Sequence, residues 1–388
     1  RIVPTGLQHQ TVTAVPVPGA PGVEITTFRG PNMRPEGGVD SAETIEEDLQ
    51  YRDFTINALA FEVATHRLVD VVGGRADIEQ RLVRAVGDPS ARFREDPLRV
   101  LRMIRFGCRE GFSLDPTTRE AARPFVHALP AIAIERVRDE FSKTLLSDRP
   151  DWGIRTLQAL GLLQPILPEI AAADGFEQNR FHPDDLLTHT LVVLLKTRPE
   201  LTLRLAALLH DVGKPASLSV DDQGDRHFYR HESIGSDMAR EILERLRYPH
   251  AVTDAVCTLV RTHMRPLEAG PGGLRRLLRD TEELFPLWRE LKEADASSVK
   301  IEPAKLAEDL ERFDLAMAEV LKGPDVSPLK NLAVNGHDLI GLGLTPGPRF
   351  GEILRALHER VLDTPELNEK ATLLRMIKDE YLVEDENL

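Results

Sequence analysis

Cysteine is scarce: the chain has two, Cys108 and Cys257, in 388 residues. Two thiols cannot build the disulfide framework of a small secreted scaffold, which points to a reducing compartment and hence to a cytoplasmic protein. Long apolar runs are missing too. None approaches the roughly 18 residues of a membrane span, and no secretory leader is visible, so no membrane partner is expected. An overall basic excess is also lacking. The formal net charge is −14, which argues against a general polyanion binder. There is one local exception: from Arg81 to Arg109, eight arginines face three acids, Asp88, Glu95 and Asp96. With 41% hydrophobic residues the chain can build a core, and its length predicts two to four domains.

The texture of the sequence changes near residue 90 and implies an α+β fold. Thr11–Val15 and Val23–Phe28 are β-branched runs set between Pro/Gly turns. Phe54–Val63 and Leu68–Val72 read as a further strand pair. The segment Gly30–Glu43 between these pairs is rich in Gly, Pro and acids, has no period and reads as a mobile loop. In Asp70-Val71-Val72-Gly73-Gly74 the double glycine suits a tight turn with positive φ. From about Asp96 onward nearly everything reads as helical.

The most telling stretch is Arg94-Glu95-Asp96-Pro97-Leu98-Arg99-Val100-Leu101-Arg102-Met103-Ile104-Arg105-Phe106. Asp96 and Pro97 suit an N-cap and first helical position. Arg99, Arg102 and Arg105 then drift slowly round one face, since three residues is just under a turn. An ionised Asp only accepts hydrogen bonds and an Arg only donates. Cytosine and adenine each present an amino donor beside a ring-nitrogen acceptor; uracil and guanine present the reverse. An Asp96/Arg99 pair therefore suits C and A, and buried polar sites of this kind can reject wrong partners on the order of 10⁴-fold. Arg102 and Arg105 remain for a triphosphate, where forked guanidinium donors are well matched. Upstream, charged residues run into a strand-like stretch, placing Arg52, Asp53 and Asn57 at a sheet rim facing the ligand. The bland alternative is an exposed amphipathic helix with solvated arginines.

These segments occur in order and at close spacing: RDFTINALA from Arg52, DVVGGRADI from Asp70, AVGDPSARFREDPLRVLRMIRF from Ala85 and IERVRDE from Ile134. Together they resemble the bacterial class II CCA-adding tRNA nucleotidyltransferase and poly(A) polymerase family, as does the leading Pro4–His9 segment. The resemblance implies that Arg52, Asp96, Arg99, Arg102 and Arg105 contact CTP or ATP, and that tRNA is the partner. It also implies an Asp-x-Asp motif and a Gly-Gly-x-Val-Arg-Asp turn upstream of Pro4. Neither is found here, and the chain opens at Arg1. It is therefore expected to be truncated at the N-terminus, with one half of a split enzyme as the alternative, and, with the Mg²⁺ ligands of transfer upstream, inactive in transfer by itself. Tyr51, where the family usually has a second arginine, and Gln10, where it usually has glycine, are departures.

Seven of the twelve histidines fall between His182 and His263. His210-Asp211 follows an apolar helix, and His189, His231-Glu232, His263 and Asp295 lie on neighbouring helical stretches. Imidazole and carboxylate donors at helix ends suit Mn²⁺, Ni²⁺, Fe²⁺ or Zn²⁺, with a bound water becoming nucleophilic near neutral pH. The set resembles the HD-type phosphohydrolase domain. That resemblance makes His189, His210, Asp211 and Asp295 core ligands and His231 and His263 the extra ligands of two-metal forms, with Lys214 free to steady a phosphate oxygen. The alternative is a scatter of helical histidines without metal.

The expected organisation is thus a partial nucleotidyltransferase palm sheet (1–90), followed by an elongated all-α neck for base selection and RNA binding (91–170), an HD-type helical domain (171–300) and a helical tail contacting the tRNA body (301–388). The expected function is CCA addition to tRNA 3′ ends from CTP and ATP, with a possible phosphohydrolase activity on 2′,3′-cyclic phosphates or phosphomonoesters. The alternatives are poly(A) polymerase, or metal-dependent phosphohydrolysis as the sole activity of this chain. Retention of Thr26–Arg29 and the loop after it argues against addition of CC alone. Homo-oligomerisation is left open.

Overall fold

The computed structural model describes residues 2–6, 11–15, 17, 21–34, 38–179, 184–299 and 301–382. Leu7–Gln10 of the leading segment and His182 lie outside these residues. Two compact units emerge. One comprises Arg1–Asp174, Arg198–Arg204 and Ile242–Tyr248; the other comprises Gly175–Thr197, Leu205–Glu241 and Pro249–Leu388. The fold is α+β, with sheets confined to small pieces. Among the described residues no helix is long and apolar enough to cross a membrane.

In the first unit, Ile2–Gly6, Thr11–Ala14 and Val23–Thr26 form an antiparallel three-stranded sheet, with Thr11 opposite Thr26 and Ile2 opposite Ala14. The segment expected to be an unstructured loop is instead largely a hairpin: Arg29–Arg34 pairs antiparallel with Gly38–Ser41. Composition misleads there because strand pairing satisfies backbone groups that local propensity ignores. A second correction concerns Phe54–Val63. Only Leu59–Glu62 is strand, paired with Arg67–Asp70. Ile45–Gln50 before it is a helix capped by Thr44, and Thr55–Asn57 is a 3₁₀ turn. The Asp53 side chain takes the Phe54 amide at 2.9 Å and the Asn57 amide group at 3.3 Å. Such local bonds compete with a sheet ladder, so Arg52, Asp53 and Asn57 lie on a turn rather than a strand rim.

Gly73 has φ 79° and opens the Gly74–Glu79 helix. Asp70 accepts from the Gly74 and Arg75 amides, at 2.9 Å each. A Cβ added at Gly74 would sit 2.1 Å from the Thr55 carbonyl oxygen, so this glycine is what lets the helix approach the Thr55–Asn57 turn.

The helix expected after Asp96 and Pro97 is present as Leu98–Gly107, and a further helix, Pro89–Glu95, capped by Asp88, precedes it. Pro97 disfavours helical backbone at the residue before it, and Asp96 is extended there, with φ −148°. Asp96 still caps in part, its Oδ1 accepting the Leu98 amide at 3.1 Å. Leu98, Val100, Leu101, Met103 and Ile104 are buried, and the helix packs against Ile134–Leu145. Beyond it the chain is mostly helical, with two exceptions among the described residues. Ser113–Leu114 pairs parallel with Leu82–Val83, and Leu218–Val220 forms a hairpin with Arg226–Phe228.

The second unit is built round Leu186–Lys196, residues 231–241 of the His231–Arg245 helix, His250–Thr262 and Phe285–Ala296. Fully buried Trp288 donates its indole N–H to the Thr262 carbonyl at 3.0 Å, tying the last two of these helices together. Leu339, Ile353, Leu357, Val361, Leu362 and Leu373 form a separate core near the C-terminus.

Candidate functional site

Six of the sequence-predicted metal ligands converge in the second unit. His189 lies on Leu186–Lys196, His231 opens His231–Arg245, His263 ends His250–Thr262 and Asp295 is near the end of Phe285–Ala296. His210 and Asp211 follow the Leu201–Leu209 helix. They divide into two triads, His189/His210/Asp295 and Asp211/His231/His263, each with its donor atoms within 4.8 Å of one another. Asp211 joins them. Its Oδ2 lies 3.1 Å from His210 Nε2 and 3.5 Å from His189 Nε2; its Oδ1 lies 3.3 Å from His231 Nε2 and 3.7 Å from His263 Nε2.

Three of the rings are oriented by their own backbones. His210, His231 and His263 donate Nδ1–H to the carbonyls of Ala207, Phe228 and Val260, at 2.9, 2.8 and 2.6 Å. That fixes the tautomer and leaves each Nε2 lone pair facing inward, as a metal ligand requires. His189 and His210 bring their Nε2 atoms to 3.3 Å, as do His231 and His263; two inward lone pairs at that distance call for a cation or a shared proton. Five of the six groups are buried and Asp295 nearly so. Burial alone would raise the Asp211 carboxyl, but the His210 and Lys214 charges outweigh it and hold it well below the ordinary range. The buried, inward-facing donor set fits a divalent transition metal.

Lys214, expected to reach a phosphate, lies beside the same carboxylate, its Nζ 2.6 Å from Asp211 Oδ2. Buried Gln178 accepts from Lys214 Nζ at 2.7 Å; sequence reasoning missed this residue, and nothing in its local pattern marks it. The Gly213 of the His210–Lys214 run has a definite use as well. An added Cβ there would meet the His231 carbonyl oxygen at 2.3 Å and the Gly235 amide nitrogen at 2.6 Å, so glycine lets the two ligand-bearing segments touch.

The seven predicted nucleotide-binding residues lie in the first unit. Arg102 donates Nε to Asp53 Oδ2 at 2.8 Å, with a second guanidinium nitrogen at 2.6 Å. This joins the Arg52–Asn57 turn to the Leu98–Gly107 helix across 49 residues. Every one of the four arginines has a carboxylate partner. Arg52 pairs with buried Asp48, Arg99 with Glu95 at 2.8 Å, and Arg105 with buried Glu140 at 2.5 Å. Arg99 also donates to the carbonyls of Arg92 and Tyr51, at 3.0 and 3.4 Å. Asp96 takes a donor from Arg136 at 2.8 Å. Each arginine of the stripe is therefore held by an ion pair and is only partly solvated. A guanidinium has five N–H donors, so each ion pair leaves some for a ligand. The contacts of Asp53, Glu140 and Arg136 link distant positions, whereas Asp48 and Glu95 lie four residues from the arginines they pair with.

Three family profiles match: the poly A polymerase head domain over residues 1–84, the "Probable RNA and SrmB-binding site of polymerase A" over 111–174, and tRNA nucleotidyltransferase domain 2 over 228–377. The A-adding tRNA nucleotidyltransferase of Deinococcus radiodurans is 40% identical over 330 residues, covering 81% of this chain and 75% of its own. The CC-adding tRNA nucleotidyltransferase of Thermus thermophilus is 37% identical, covering 81% and 73%. The crystal structure of the Bacillus stearothermophilus CCA-adding enzyme in complex with CTP superimposes on 100% of this chain and 86% of its own, with a TM-score of 0.65 at 24% identity, a likeness of fold.

Proposed function

The chain belongs to the bacterial CCA-adding tRNA nucleotidyltransferase family, and on that footing we propose that it serves CCA addition to tRNA 3′ ends in the cytoplasm, with CTP and ATP selected by protein side chains. The carrying observation is the Arg102–Asp53 pair, which closes the Arg52–Asn57 turn onto the helix that follows Asp96. In this reading Asp96 accepts from the exocyclic amino group of C or A and Arg99 donates to the neighbouring ring nitrogen. Arg52, Arg102 and Arg105 share their remaining donors with the triphosphate, while Asp53 and Asn57 brace the turn. Residues 301–388 contact the tRNA body. Enzymes of this family use a divalent metal for transfer, which we assign as Mg²⁺; when bound it neutralises phosphate charge.

The two relatives above carry the two partial reactions in their names at nearly equal identity, so nucleotide selection is the deciding measurement. Titrating the chain with each nucleoside triphosphate is expected to show binding of both CTP and ATP, with UTP and GTP at least about tenfold weaker, as expected where buried polar groups go unpaired. Binding of ATP without CTP would move the assignment to A addition or poly(A) synthesis. Binding of CTP without ATP would move it to CC addition. Equal binding of all four would remove the base-reading role of Asp96 and Arg99.

A second reading is favoured by the two buried triads: metal-dependent hydrolysis of 2′,3′-cyclic phosphates or phosphomonoesters. His189, His210 and Asp295 would hold one ion of Mn²⁺, Ni²⁺, Fe²⁺ or Zn²⁺, and His231 and His263 a second, with Asp211 between them. Such an ion supplies a water acidic enough to attack phosphorus near neutral pH. Lys214, anchored by Gln178, would balance charge on the phosphoester.

A further inference from the structure

Tyr51 stands at the end of the Ile45–Gln50 helix. Its amide caps that helix, donating to the Asp48 carbonyl at 3.1 Å. Its carbonyl accepts from an Arg99 guanidinium nitrogen at 3.4 Å, across 48 residues of chain. Backbone bonds on both sides therefore fix where the side chain starts. The face of the ring receives a second arginine. The Arg92 guanidinium carbon lies 5.5 Å from the ring centroid, within the range of a cation–π contact.

Arg92 depends on that ring. One of its guanidinium nitrogens lies 2.5 Å from Glu95 Oε1. Its Nη1 is shut off from water and has no hydrogen-bond partner among the described residues. A buried N–H left unpaired is costly, and the negative face of an aromatic ring offsets part of that cost. Glu95 carries the contact onward. It stands three residues after Arg92 and four before Arg99, so one carboxylate reaches both: Oε1 meets Arg92, and Oε2 meets Arg99 Nη1 at 2.8 Å. Arg99 Nη1 also donates to the Arg92 carbonyl at 3.0 Å. The contacts close on themselves, from the Tyr51 ring through Arg92, Glu95 and Arg99 back to the Tyr51 carbonyl. Its three acceptors occupy three of the five N–H groups of the Arg99 guanidinium and give the remaining donors a fixed direction.

We propose that Tyr51 is a positioning residue for base selection. Its ring holds Arg92, Arg92 holds Glu95, and Glu95 together with the Tyr51 carbonyl aims the remaining donors of Arg99 at the base. The proposal rests on the base-reading role given to Arg99 above. Direction is what discriminates here. A donor held in place meets the ring nitrogen of cytosine or adenine and opposes the ring N–H that uracil presents at that point. A donor free to swing turns to the neighbouring uracil carbonyl instead. Loss of the Tyr51 ring therefore lowers the preference between bases more than it lowers affinity.

The test is equilibrium titration of the full chain with CTP and with UTP. Tyr51→Leu is expected to lower the CTP-over-UTP preference about two- to fivefold, the range for one partly exposed cation–π contact. Tyr51→Phe keeps the aromatic face and is expected to keep the preference. Adding Tyr51→Leu to Arg92→Met should cost no further preference, since the ring acts through Arg92. A Tyr51→Leu variant that binds both nucleotides more weakly at an unchanged ratio has lost structure alone, and that result overturns the positioning role. So does a preference that falls equally in Tyr51→Phe. Arg92→Lys keeps the charge but gives up the planar fork that spans ring and carboxylate. It is the variant to read where Tyr51→Leu does not fold, and an unchanged ratio there overturns the proposal as well. Arg99→Ala separates this from the reading beneath it. A CTP preference that survives Arg99→Ala removes the base-reading role of Arg99, whereas a preference erased by Arg99→Ala and untouched by Tyr51→Leu removes the role of Tyr51 alone.

Discussion

Arg136 donates a guanidinium hydrogen to Asp96 Oδ2 at 2.8 Å, across 40 residues of chain. With Oδ1 occupied by the Leu98 amide, the carboxylate proposed to read the base is held at both oxygens before any nucleotide arrives.

Arg136→Ala is therefore expected to loosen Asp96 without removing it. The pair is partly exposed, so its worth is modest, about 1 kcal/mol. The CTP-over-UTP preference should fall roughly fivefold, while Asp96→Ala should erase it. Equilibrium binding of the two nucleotides measures both. A preference untouched by Arg136→Ala would show that the pair only stabilises the fold.

Glu140 is buried and lies 2.5 Å from Arg105, 3.8 Å from Arg102 and 3.2 Å from Lys143. Removing a buried carboxylate leaves its partners uncompensated. Arg105 and Arg102 keep 21% and 32% of their side-chain exposure, so water recovers part of the loss. Glu140→Ala is expected to destabilise the first unit by about 2–3 kcal/mol, read as a lowered denaturation midpoint. Glu140→Gln, which keeps hydrogen-bond acceptors, should lose less.

The two triads imply a metal dependence confined to the second unit's own site. At about 100 times its dissociation constant, a bound ion should stabilise the protein by about 2.7 kcal/mol, seen as a melting temperature raised by Mn²⁺ and lowered by a chelator. His210→Ala combined with Asp211→Ala should abolish bound metal, and His231→Ala should remove one equivalent. CTP binding should be unchanged in each. A chelator-insensitive melting temperature would remove the metal reading.

Glu169 and Arg245 form a two-pronged pair at 2.7 and 2.9 Å. Burial would raise the Glu169 carboxyl, but the Arg245 hydrogen bonds, the Glu169 backbone amide and the Arg245 charge together lower it below the ordinary 4.5. A depressed carboxylate contributes stability above its unfolded value and loses it as pH falls through the folded one. Wild type should therefore be more stable than Glu169→Gln above about pH 4.5, and the two melting curves should converge on further acidification. A constant difference at every pH would exclude ionisation of Glu169 as the source.

Much of the candidate metal site was legible because its signals are local. The His210-Asp211 doublet at a helix end and the crowding of histidines into one region both lie open in the sequence. Gln178 was not legible, since only the packed structure brings it to Lys214. The arginine stripe was read half correctly. Asp96 and Pro97 do open the helix that carries Arg99, Arg102 and Arg105, and they also end the Pro89–Glu95 helix before it, which the sequence reading did not anticipate. The Gly30–Glu43 segment was misread because its strands hold each other by paired backbone groups, which composition does not report.

The sequence by itself determined the residue chemistry and its punctuation: arginines on one helical face, a proline break before them, a glycine pair after Asp70, and imidazoles and carboxylates at helix ends. Only the tertiary structure decided which acid meets which arginine, how six candidate metal ligands divide into two triads, and that Asp211 stands between them. Local patterning reflects a residue's neighbours along the chain. An ion pair or a shared carboxylate depends on distances between side chains carried by different elements, and those distances exist only once the helices have packed.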